Sequence, residues 1–116
     1  MIRLSAAVAF LVLATSAASA QDCLFAPANG QLALAYRACV LSKARQFEPS
    51  GESADNVAVA AVSACYPARD AYGTAIQLCA TQGFVSQLLT TLDAGLHNKA
   101  IEAVVEIRAR HHRSKN

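Results

Sequence analysis

Four cysteines, Cys23, Cys39, Cys65 and Cys79, follow a leader with the pattern of an export signal. No other feature restricts the fold as much. Met1-Ile2-Arg3 is a short positive start, Leu4 to Ala14 is an apolar run, and Thr15 to Ala20 is small and polar. That order is the one a secretory signal takes, with cleavage expected after Ala20. The run is too short to anchor a chain in a bilayer. Cys23 stands three positions past the cleavage point, so a lipid-anchored form is not expected. The reading is a cleaved signal peptide at 1–20 and a single domain at 21–116, located in the periplasm or secreted. An even set of cysteines behind such a signal predicts disulfides. A zinc site needs close pairs such as C-x-x-C, and none exists.

The rest of the chain reads as helices. Gln21 to Asn29 is expected to be an extended arm containing Pro27, with Asn29 or Gly30 starting the first helix. Leu32, Ala35, Tyr36, Cys39, Val40, Lys43 and Phe47 then recur at three- and four-residue steps. Glu48-Pro49-Ser50-Gly51-Glu52 is a turn on composition, and Ser53 is a fair N-cap for the next helix. That helix carries Val62, Cys65, Tyr72, Ile76 and Cys79 on one stripe. Pro67 lies inside the pattern and either kinks the helix or begins a new one; because the stripe keeps its phase, a kink is preferred. Thr81-Gln82-Gly83-Phe84 looks like a helix end, with Gly83 in the left-handed position. No strand pattern competes. The expected fold is all-α, a small helical bundle built on a disulfide-stapled helix hairpin.

Helix rise selects among the three possible cysteine pairings. Cys65 and Cys79 would lie roughly 21 Å apart along one helix, while a disulfide needs α-carbons within about 7 Å. Measured from the turn, Cys39 lies about 12 Å up the first helix and Cys65 about 18 Å up the second. That one-turn offset can be absorbed, so Cys39–Cys65 staples the hairpin. Cys79 stands far above Cys39, which leaves Cys23–Cys79, within reach of the N-terminal arm. Removing the first 20 of 116 residues leaves 96, and alanine supplies much of the apolar content. A core that lean benefits from cross-links.

Tyr36-Arg37-Ala38-Cys39, Lys43-Ala44, Glu48-Pro49-Ser50-Gly51-Glu52 and Ala64-Cys65-Tyr66-Pro67 resemble small exported helical proteins of Proteobacteria with no assigned function. The likeness covers roughly residues 36–72. It implies periplasmic export and a helical fold, and it brings no catalytic residues.

No catalytic constellation, cofactor motif or metal-ligand spacing stands out. His97 and Asp93 are four residues apart, a weak half-site; His111 and His112 are adjacent and point differently. Glu48, Glu52, Asp55 and Asp70 are scattered around turns and helix starts, where capping and solvation account for them. Arg108, Arg110, His111, His112, Arg113 and Lys115 form a basic tail that suits a helix C-terminus. It has no interleaved aromatic residues, and a net charge of +2 gives no footprint for nucleic acid.

The C-terminal third presents a choice. On one straight helix, Phe84, Val85, Leu88, Leu89, Leu92 and Leu96 share a face, and Ile101, Val104 and Val105 fall largely opposite. Either the helix breaks at Gly95, with Asn98 capping a new helix that docks on the core, or it continues. In the second case Ile101, Val104 and Val105 form an interaction face for a partner or a second copy. Gly95 and Asn98 stand where a break needs them, so the break and a monomer are expected. The functional expectation is a periplasmic protein that acts by binding a protein partner and not by catalysis, with no cofactor. The alternatives are a stress-related holdase chaperone and a small enzyme with dispersed carboxylates near His97.

Overall fold

The computed structural model describes residues 20–116. The signal peptide expected at 1–20 therefore lies, except for Ala20, outside the described residues. The helices are α1 (Ala20–Leu24), α2 (Pro27–Phe47), α3 (Ala54–Ala64), α4 (Tyr66–Gln77) and α5 (Gln82–Ser114), with a 3-10 turn at Glu48–Ser50. No strand occurs among the described residues. The chain runs up α2, turns at 48–52, returns along α3 and α4, and turns again at 78–81. It then runs the whole length of the bundle as α5, in the up-and-down manner of antiparallel helices. This is the all-α, disulfide-stapled bundle expected from the sequence.

The first turn forms as its composition predicts. Gly51 adopts φ 78°, the left-handed conformation that favours glycine. The Ser53 Oγ accepts from the Asn56 N–H at 3.1 Å and caps α3. Both expected disulfides are present, Cys39–Cys65 with α-carbons 5.9 Å apart and Cys23–Cys79 with α-carbons 5.4 Å apart.

Four local expectations need correction. The arm at 21–29 is not extended: α1 folds its first part, and α2 starts at Pro27. A proline suits a first helical turn, where its missing N–H has no intrahelical acceptor to lose. Asn29 does not cap; its Nδ2 donates to the Cys23 carbonyl at 2.7 Å and ties α1 to α2. Pro67 does not kink a continuous helix. The helix ends at Ala64, Cys65 takes φ −103° and ψ 14°, and Pro67 lies in the first turn of α4. Thr81 and Gly83 do not end a helix: the Thr81 Oγ1 accepts from the Phe84 N–H at 3.3 Å and caps α5. Gly51 holds the positive φ among the described glycines.

The fourth correction is the largest. There is no break at Gly95, and Asn98 caps nothing; α5 is one helix of 33 residues. Its buried side chains are Val85, Leu89, Leu96, Ala100 and Val104. From Val85 to Val104 the buried strip rotates by about 100° around the axis. It can do so because α5 changes partners. Val85 and Leu89 pack with Tyr72 and Ile76 of α4, and Leu96, Ala100 and Val104 pack with Tyr36, Val40, Val57, Ala61 and Cys65. Leu92 touches both clusters. At the crossing of α4 and α5, a Cβ on Gly73 would stand 3.1 Å from Leu89 Cδ1, so the missing side chain sets how closely these helices approach. The face formed by Ile101, Val104 and Val105 is thereby divided. Val104 is fully buried, Ile101 packs against the core, and Val105 alone is 53% exposed.

Candidate functional site

The polar side chains that looked available in the sequence are mostly engaged in holding helices together. Asp93 sits in mid-bundle. Its Oδ1 accepts from the Tyr36 hydroxyl at 2.7 Å, and the Arg69 Nε donates to both carboxylate oxygens at 3.0 and 2.9 Å. The Arg69 guanidinium also lies 5.5 Å from the centroid of the Tyr66 ring. Burial, then the hydrogen bond to Asp93 and its negative charge, pushes the Tyr36 phenol well above its ordinary range. Desolvation lowers the Arg69 guanidinium, but its hydrogen bond to Asp93 and that charge outweigh the loss and raise it. The arrangement ties α2, α4 and α5 together with a compensated charge.

The Asp93–His97 half-site does not form. Asp93 turns to Tyr36 and Arg69, while His97 Nε2 lies 2.9 Å from Asp55 Oδ1 across the α3–α5 interface. Asp55 is thus the carboxylate that meets His97, and the pair leaves the Asp55 side chain largely in solvent. Arg108 is not part of a free tail. Its NH2 group donates to the Glu48 and Glu52 carbonyls at 3.1 and 2.6 Å, and its Nε lies 3.5 Å from the buried Glu48 carboxylate. It fastens the first turn to α5. Arg110, His111, His112, Arg113 and Lys115 remain exposed beyond it. Among the described residues no group of three or more His, Cys, Asp or Glu side chains is placed to hold a metal ion.

The opposite end of the bundle differs in character. There the Cys23–Cys79 disulfide joins α1 to the end of α4, and three large apolar side chains face water. Phe25 is 78% exposed, Leu78 89% and Phe84 47%. An open cavity of about 660 Å³ lies between Leu24, Leu78, Cys79, Thr81 and Phe84. A second, more enclosed cavity of about 320 Å³ lies beside it; Leu24 and Phe84 belong to both, and Phe25, Asn29, Gly30, Ala33, Tyr72 and Leu88 complete its walls. None of the side chains lining either cavity is charged.

Sequence reasoning missed this end. Phe84 stood on a stripe expected to be buried, Phe25 lay in an arm with no assigned partner, and Leu78 went unremarked beside Cys79. The available signal was phase: Leu78 is one residue off the stripe of Tyr72, Ile76 and Cys79, so a helix that buries those must turn Leu78 outward.

Comparison with protein-family models, curated proteins and solved structures finds no match to this chain. Among the described residues no helix is long and apolar enough to cross a membrane.

Proposed function

We propose that this chain is an exported protein of the periplasm or cell exterior that acts by binding, and that its working surface is the apolar end around Cys23–Cys79. The carrying observation is the grouping of exposed Phe25, Leu78 and Phe84 around open, uncharged cavities. Scattered exposed apolar residues are ordinary on a protein surface, but a contiguous group beside a concavity points to recognition. The two disulfides suit an oxidising compartment, in keeping with the leader. The side chains first considered for chemistry, Asp93 and His97, support the reading by having structural partners instead.

The test is a titration of the processed, disulfide-intact protein with an environment-sensitive apolar dye at neutral pH. Saturable binding is expected, and Leu78→Ser with Phe84→Ser should abolish it while moving stability by only about 0.5 kcal/mol per site. Dye binding no greater than that of an unrelated folded protein would reject the reading. The same titration separates it from an acid-activated holdase, whose dye binding should be low at neutral pH and rise steeply in mild acid.

A further inference from the structure

We infer that the enclosed cavity beside Tyr72 is a binding site for an uncharged aliphatic molecule with one neutral hydrogen-bonding group, such as a hydroxyl or an ester carbonyl. The inference rests on the reading of the apolar end as the working surface and names the ligand class for it.

Two independent observations converge on this site. The first is the wall. Leu24, Ala33, Leu88 and Gly30 provide aliphatic and backbone surface, Phe25 and Phe84 add aromatic rings, and Phe84 also borders the larger cavity. At about 320 Å³ the enclosed part lies at the small end of the range for small-molecule sites. Leu24 and Phe84 also line the open cavity, so the two cavities lie side by side at this end. An ionised head group placed here would lose its hydration with no opposite charge among the lining side chains, so charge is selected against.

The second observation is Tyr72. Tyr72 is only 9% exposed, and it lines the enclosed cavity. Tyr36, the other buried tyrosine, gives its hydroxyl to Asp93. The Tyr72 hydroxyl has no hydrogen-bond partner among the described residues. Among the described residues no fully buried polar side-chain atom lacks a partner, so this hydroxyl keeps an open side. A phenol in that position both donates and accepts, which matches a hydroxyl or carbonyl and does little for a pure hydrocarbon. Asn29, also on the cavity wall, is already committed to the Cys23 carbonyl.

The experiment uses the processed, disulfide-intact protein and the neutral fluorophore N-phenyl-1-naphthylamine as probe. Bound probe is competed with decanol, decanoate and decyltrimethylammonium, each below its aggregation concentration. Decanol should displace the probe at concentrations at least about tenfold below either ion. Tyr72→Phe should weaken decanol about three- to tenfold, the loss of one hydrogen bond, while leaving probe affinity nearly unchanged. Ala33→Leu supplies a second variant. Ala33 lines the cavity and is partly buried against the cluster of Tyr72 and Ile76, so a larger side chain there takes up cavity space, and it should abolish competition by decanol. Saturable probe binding that decanol does not displace, or that decanoate displaces equally well, overturns the ligand class and leaves the binding reading standing. Unchanged decanol competition in both variants overturns the site. The absence of saturable probe binding overturns this inference together with the reading beneath it.

Discussion

Asp93 accepts hydrogen bonds from two helices at once, and its neighbour Tyr36 is fully buried with its hydroxyl on that carboxylate. The raised Tyr36 phenol has a consequence for stability against pH. In the unfolded chain a tyrosine titrates at about 10. In the folded chain burial and Asp93 hold the proton to higher pH. Above about pH 10 the folded state therefore retains a proton that the unfolded state has released, and stability falls as pH rises. Below that pH the contribution is fully present. Tyr36→Phe should cost about 1 kcal/mol at neutral pH through the lost hydrogen bond. It should also flatten the alkaline fall in melting temperature; an unchanged alkaline slope would assign that fall to another group. The Ser53 cap was legible from the sequence because its partner is three residues away. The Asp93 contacts were not, since Tyr36 and Arg69 are separated from it by 57 and 24 residues.

Helix α5 shows how packing overrides a local signal. Glycine within a helix costs roughly 1 kcal/mol relative to alanine. Burying a side chain such as Leu96 or Val104 returns about 1.5–3 kcal/mol each, so continuing the helix through Gly95 is favoured. A Cβ at Gly95 meets nothing within 4 Å. Gly95→Ala should therefore stabilise the protein by about 0.5–1 kcal/mol and raise its melting temperature by several degrees. A decrease would mean that the helix bends there. Adjacent residues later in α5 provide a sharper contrast. Val104 is fully buried and Val105 is 53% exposed. Val104→Asp should cost about 3–5 kcal/mol or unfold the protein, because an unpaired carboxylate enters the core. Val105→Asp should stay within about 0.5 kcal/mol. Thermal melts with sizing by light scattering read both. A well-folded Val104→Asp monomer derived from a native dimer would place that residue at an interface between copies.

For the molecule as a whole, the disulfides bridge α2 to the α3–α4 junction and α1 to the end of α4. They close sequence separations of 26 and 56 residues. In the chain-entropy account each contributes about 3–4 kcal/mol through the unfolded state. Replacing Cys39 and Cys65 together by Ala should lower the unfolding free energy by about that amount in a denaturant titration. Non-reducing tryptic mapping should join the Ala38–Lys43 peptide to the one containing Cys65, and the peptide with Cys23 to the one with Cys79. A Cys65–Cys79 linkage would require α4 to fold back on α3 and would rule out this bundle.

The pairing of the cysteines, the helical class and the turn at 48–52 were determined by the sequence itself. Each follows from quantities local to a segment: rise per residue, spacing along a stripe, and the cap and turn chemistry of Ser53 and Gly51. The break at Cys65, the unbroken run of α5, the Asp93 contacts and the uncovered end around Phe84 were decided only by tertiary structure. All four depend on how one helix is rotated and offset against the next. Periodicity shows that a helix has a buried side, but the partner that covers each turn of it comes from distant parts of the chain. Where that partner changes from α4 to α3, the buried side of α5 turns with it, and where no partner arrives, Phe25, Leu78 and Phe84 remain open to water.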